Sequence, residues 1–144
     1  MNRIKAEVDR IVARLKENSA LSGIRFVREY SSNQLESPID GWLAAVCITD
    51  VKLSKSYVGG YMSSSIRGEV YSAGVEIRLF APAEENGSGL SELAGEIIST
   101  LSESKNELNI SLVTASAIGF DPNSDAVYRT VSCKLEFCAS GEAV

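Results

Sequence analysis

Residues Asp121, Pro122, Asn123, Ser124 and Asp125 are this sequence's nearest approach to a metal-binding motif. A calcium loop of this opening needs glycine at its sixth position and glutamate at its twelfth. Those positions hold Ala126 and Ser132, and the flanking segments have strand rather than helix character. Asp, Pro and Asn serve tight turns directly, so a hairpin turn is the expectation. A second candidate, Asn86, Gly87, Ser88 and Gly89, stands between a strand pattern and a helix pattern, where a phosphate loop would stand. No lysine follows it, and Glu84, Glu85 and Glu92 would repel a phosphate. A turn followed by an N-cap at Ser88 accounts for these residues. Glu84 and Glu85 form the one adjacent carboxylate pair in that turn, and a solvated polar turn gives no reason for a raised pKa.

Histidine is absent, which removes the commonest general base and metal ligand. A Ser-His-Asp or Cys-His mechanism is excluded within one chain. The three cysteines are Cys47, Cys133 and Cys138. Cys133 and Cys138, five apart, would lie on opposite faces of one strand, about 17 Å apart, and could not bridge. An odd count without close pairing is unlike a secreted disulfide framework, and small buried apolar thiols are expected. Trp42 and Tyr128 are explained by packing. No catalytic residue, cofactor or metal is expected.

The formal charge of −5 across 144 residues argues against clamping nucleic acid by phosphate neutralisation. The length fits one domain, 1–144, with a core large enough to need no staples. The charged N-terminal stretch is unlike a signal peptide, and no run suits a bilayer span. A soluble protein made in a reducing cytoplasm is expected.

Ile4, Val8, Ile11, Val12 and Leu15 form one apolar stripe at helical spacing, with charges mostly off it. Ile24 to Tyr30 alternates as a strand. Pro38 and Asp40-Gly41 mark a loop. Leu43, Ala44, Ala45, Val46, Cys47 and Ile48 are continuously apolar, the pattern of a strand covered on both faces or of a central strand under a helix. Val75, Ile77 and Leu79 alternate with Glu76 and Arg78 in a third strand. Leu90, Leu93, Ala94, Ile97, Ile98 and Leu101 predict a second helix. The runs around 108–120 and 127–137 predict an antiparallel hairpin, with Leu108, Ile110 and Leu112 alternating on the first strand. A loose tail is expected over 139–144.

The stretch 54–68 is unusual. It is rich in Ser and Gly yet carries Tyr57, Val58, Tyr61, Met62 and Ile66, and Lys55 and Arg67 are its only charges. It is expected to be a long hairpin arm. Either its aromatics fold back on their own domain, or the arm orders against a neighbouring subunit, since Tyr-, Ser- and Gly-rich surfaces suit adaptable contacts. In the second case Lys55, Tyr57, Val58, Tyr61, Met62, Ile66 and Arg67 form an oligomer interface.

The expected fold is α+β in the order α-β-β-β-α-β-β, with two helices packed on one face of an antiparallel or mixed sheet. This layout resembles the tail terminator proteins of long-tailed phages, also called tail completion or minor tail proteins, within the head–tail connector group. The segments carrying the resemblance are 75–80 (VEIRLF), 90–101 (LSELAGEIISTL) and 120–137 (FDPNSDAVYRTVSCKLEF). It covers most of the chain as a pattern, without a catalytic signature.

The resemblance implies a non-enzymatic structural protein of the virion tail or neck, assembled in the host cytoplasm. Such proteins form a homo-oligomeric ring, commonly a hexamer, on the head-proximal end of the tail tube. The ring ends tube polymerisation and joins head–tail connector proteins, and DNA passes through its channel without specific binding. A head-to-tail ring needs two different patches on each subunit, and the arm is the candidate for one. The competing expectations are a head-closure or neck protein, and a small-molecule-binding α+β module. No membrane partner is implied.

Overall fold

The computed structural model describes residues 2–28, 41–61, 66–82, 89–121 and 126–142. They form a mixed α+β structure with one six-stranded sheet. Helix α1 (Asn2–Lys16) leads through a 3-10 turn (Ser19–Leu21) to β1 (Arg25–Arg28), β2 (Leu43–Tyr61) and β3 (Ile66–Pro82). Helices α2 (Leu90–Glu103) and α3 (Lys105–Leu108) precede β4 (Ile110–Ala115), β5 (Gly119–Asp121) and β6 (Ala126–Glu142). The sheet runs β1-β2-β3-β6-β4, with β5 also on β6. β1 pairs with β2 in parallel, and every other pairing is antiparallel.

The apolar stripe of α1 builds the core directly: Val8, Ile11, Val12 and Leu15 are buried. Arg14 and Lys16 in the last turn complement the negative end of its dipole. In α2 the buried positions are Leu90, Ala94, Ile97, Thr100 and Leu101. These side chains join Ala44 and Val46 of β2, Ala73, Val75, Ile77, Leu79 and Ala81 of β3, and Val131, Cys133, Leu135 and Phe137 of β6 in one cluster. The strand members are alternate residues, as a pleated face requires. Leu43, Ala45, Phe80 and Ala126 alternate with them and form a second, smaller buried cluster with Val27 and Tyr128. The continuous apolar run at 43–46 is therefore buried on both sides of the strand.

Polar bonds fix α1 against α2 and α3. The Asn18 side chain accepts from the Ala20 amide at 2.9 Å, and its Nδ2 donates to Thr100 Oγ1 at 2.9 Å and Glu96 Oε2 at 3.1 Å. Arg14 Nε donates to the buried Ser104 hydroxyl at 2.8 Å, and its guanidinium pairs with Glu107 at 3.1 Å. Arg10 donates to the Glu107 carbonyl at 2.8 Å and pairs with buried Glu7 at 3.2 Å. The Arg10–Glu7, Arg14–Ser104 and Asn18–Thr100 bonds are part-buried, while those to Glu107 and Glu96 are exposed and weakened by water, so direction is added to the helix chiefly by the first three.

Three local expectations need correction. The N-cap of α2 is Gly89, at φ +83, rather than Ser88, which lies outside the described residues. The left-handed backbone there suits glycine. The tail expected over 139–144 is strand as far as Glu142: residues 139–142 pair with Glu69, Gly68, Arg67 and Ile66. Ala139, Ser140 and Gly141 have weak strand propensity, so the backbone of β3 supplies what their side chains do not. The run 108–120 is also broken, so the element order departs from α-β-β-β-α-β-β. Leu108 closes the one-turn helix α3, and Asn109 ends it in the left-handed conformation at φ 58. In β4 the register shifts between Ser111 and Thr114, so Leu112 and Val113 face Cys133 together. This bulge turns Leu112 outward at φ 53, leaving it 73% exposed despite its place in the apolar alternation. Ser116 then bridges to β5: its amide donates to the Thr130 carbonyl at 2.8 Å, and its Oγ accepts from the Thr130 amide at 3.1 Å.

Gly119 lies opposite Tyr128, whose ring occupies the space above it: a Cβ built on Gly119 would lie 2.7 Å from Tyr128 Cζ. The same ring packs against Phe80 at 5.7 Å and under the Arg78 guanidinium at 4.6 Å. Gly119→Ala is expected to displace the ring and lower unfolding free energy by about 1–3 kcal/mol, measured by urea denaturation. A change within about 0.5 kcal/mol would mean that the ring moves aside without loss.

Candidate interaction surface

The described residues nearest to chemistry do not come together as a site. Asp121 ends β5 opposite Ala126, so the calcium-like sequence spans a hairpin connection whose residues 122–125 lie outside the described residues. Glu84, Glu85 and the 86–88 turn also lie outside them. Among the described residues no group of three His, Cys, Asp or Glu is placed to hold a metal ion. No helix among them is long and apolar enough to cross a membrane. Neither Cys47 nor Cys133 is in a disulfide. The grooves at Arg10, Arg14 and Glu107 and at Lys105, Asn109 and Glu136 are open to solvent, and the first is lined by groups already paired with one another.

The prominent surface feature is the extension of the sheet. β2 has 19 residues and β3 and β6 have 17 each, about three times the usual strand. Among the described side chains the main cluster reaches Ala73 on β3 and Phe137 on β6. Tyr71 stacks on Phe137 at 5.7 Å and 18°, closing that end of the core. Beyond it the backbone ladder continues: Ile66 to Val70 pair with Cys138 to Glu142 on one side, and with β2 on the other. Five residues from 66 to 70 carry the ladder roughly 17 Å past Tyr71, at the end of the described core. Exposure begins at the root of this extension, at Thr49, Asp50, Val51 and Lys52.

β2 enters the extension with extra residues. Its register against β3 shifts between Ile48 and Asp50, between Leu53 and Lys55, and between Ser56 and Tyr61. The first two shifts add one residue each to β2, and the third sets four residues of β2 against Gly68 alone; such extra backbone on one strand bends a hairpin and increases its twist. Gly74 sits across from the first bulge, where a Cβ would fall on Thr49 Oγ1 and 2.6 Å from Asp50 Oδ1. The bulge therefore requires glycine or a displaced neighbour at that point. β1 pairs only with Leu43 to Val46, so β2 runs on from there without a second described partner.

Lys55, Tyr57, Val58 and Tyr61 stand on β2, and Ile66 and Arg67 on β3. The backbone thus brings these six into one hairpin. Their side-chain placement, and Met62 altogether, lie outside the described residues. Sequence reasoning missed a second surface, the β4–β5 border. It carries Leu112, Ile118 and Phe120 at 73, 49 and 54% exposure, and 109–120 contains no charged residue. The uncharged run was visible in the sequence, but the bulge that exposes Leu112 was not.

No family model matches the chain, and no curated protein matches it.

Cys133 is buried, and burial pushes its thiol up from 9.0 to about 11. The folded chain keeps this proton over a range in which the unfolded chain has lost it. Stability from the neutral thiol is therefore fully present below about pH 9 and declines as pH rises toward 11. Urea unfolding of wild type and Cys133→Ala between pH 8 and 10.5 should show the wild-type advantage shrinking by about 1.4 kcal/mol per pH unit above the lower value. A pH-independent difference would mean that water reaches the thiol.

Proposed function

We propose that this chain is a ring-forming structural protein that caps the tail tube of a long-tailed phage or prophage, ends tube polymerisation and offers the head-joining surface. The observation that carries this reading is the long, bulged β-hairpin, flanked by the end of β6, that continues the sheet past the core. A monomer gains little from such an extension, because strands outside a core expose unpaired backbone to water. A subunit whose neighbours cover those strands recovers that cost.

In this reading both long helices cover one face of the sheet, in the layout expected from the sequence. Lys55, Tyr57, Val58, Tyr61, Met62, Ile66 and Arg67 contact an adjacent copy, and contacts to tail-tube and head–tail connector proteins flank the ring. DNA passes through without specific binding, consistent with the net charge of −5. The protein does no catalysis and needs no cofactor. It belongs to the virion tail or neck after assembly in the host cytoplasm.

Removing residues 57–66 tests the role of the hairpin. Ser56 pairs with Glu69, so the deletion leaves Arg67 and Gly68 as a two-residue connection between paired strands. The shortened chain is expected to keep its circular dichroism spectrum and to lose assembly, read by native mass spectrometry with and without tail-tube subunits. Assembly at wild-type concentrations in the folded variant would remove the hairpin from the interface.

A further inference from the structure

β6 changes partners along its length. As far as Leu135 it is held by β3 on one side and by β5 and β4 on the other. The Glu136 amide still donates to the Asn109 carbonyl at 2.9 Å. From Phe137 to Glu142, β3 is its one strand partner among the described residues. The described core stops at the same point, where Tyr71 stacks on Phe137. Ala139, Ser140 and Gly141 follow, three residues with little or no side chain to bury against anything. Their pairing with Glu69, Gly68 and Arg67 is a backbone ladder. Each such hydrogen bond replaces one to water and contributes little net stability, whereas fixing each residue costs backbone entropy, most of all at glycine. A segment placed in this way opens locally while the core stays closed. The β3 edge that it leaves does not open with it, because β2 pairs with Arg67, Glu69 and Val70 from the other side.

We infer that the end of β6, residues 139–142, is an exchangeable strand that leaves the 66–69 edge of its own β3 and pairs with the same edge of a second copy of this chain. The inference rests on the assembly reading and deepens it, by naming the joint between neighbouring subunits. The ladder itself selects the occupant. Segment and edge match residue for residue, from Ile66 opposite Glu142 to Glu69 opposite Ala139, without a shift of register. A second copy brings the identical segment, so exchange remakes every backbone hydrogen bond that it breaks and needs no new complementarity. Protein concentration then sets the balance between a subunit's own pairing and the exchanged one. The giving segment and the receiving edge are different parts of each subunit, so successive exchanges run head to tail, as a closed ring requires.

Disulfide trapping tests this on the full-length chain, with Cys138→Ser present throughout so that no thiol adjoins the probes. One variant carries Glu69→Cys and another Ala139→Cys, register partners in the ladder. Mixed at concentrations where wild type associates and then oxidised, they are expected to form a disulfide joining position 69 of one chain to position 139 of the other, identified by mass spectrometry of the linked peptides. A chain carrying both substitutions should pass from an internal link to an intermolecular one as concentration rises. Separately, a chain ending at Cys138 is expected to keep its circular dichroism spectrum and to associate at least tenfold more weakly than wild type, read by sedimentation. An internal link alone at every concentration, with none between mixed chains, would overturn the exchange, whether or not the shortened chain folds. A folded shortened chain that associates as wild type does would overturn it too. In both cases a wild type that still assembles leaves the assembly reading standing. A wild-type chain that stays monomeric at every concentration, with and without tail-tube subunits, would overturn both.

Discussion

β3 and β6 pair without a shift of register from Ile66 opposite Glu142 to Pro82 opposite Ala126. The rest of the structure depends on this ladder. At one end it presents Ala73, Val75, Ile77, Leu79, Val131, Cys133 and Leu135 as a continuous buried face for the main core. At the other it runs into the extension with the same hydrogen bonding. A one-residue slip would turn every one of those side chains to the opposite face, so burial at the core end sets the register of the exposed end. Order in the extension is thereby borrowed from packing some distance away.

The parts of this fold decided by local periodicity were legible in the sequence. Val8, Ile11, Val12 and Leu15 of α1, Leu90, Ala94, Ile97 and Leu101 of α2 and the alternation at Val75, Ile77 and Leu79 are buried, while Ile4, Leu93 and Ile98 of the same stripes are only partly so. The unbroken run at 43–48 signalled a strand covered on both faces or a central strand under a helix; residues 43–46 are buried on both sides, whereas Cys47 and Ile48 are half-buried. What was not legible depends on contacts distant in sequence. The end of β6 is a strand because β3 lies beside it, although Ala139, Ser140 and Gly141 do not favour one. Leu112 belongs to an alternating pattern, yet the bulge opposite Cys133 reverses its direction. At the N-terminus of α2, Ser88 was the better cap by side-chain chemistry, but the chain enters through a left-handed Gly89 beside Trp42.

The candidate surface was legible in composition and invisible in geometry. Aromatic, small and basic residues together between 54 and 68 marked a stretch unlike an ordinary loop. Nothing in that stretch announced that β6 would accompany it as a third strand, or that three bulges would accumulate on β2. Arg10, Arg14 and Asn18 illustrate the same point for the core: their partners lie at Glu96, Thr100, Ser104 and Glu107, far along the sequence.

The bulges on β2 have a consequence for how this protein can change over generations. Each adds residues to one outer strand while the β3–β6 pairing continues undisturbed. Small insertions and deletions along the distal half of β2 can therefore be absorbed locally, as a longer or shorter swelling, without reversing the hydrophobic face inherited by the helices. The reach and curvature of the limb can drift while the body that carries it keeps its shape.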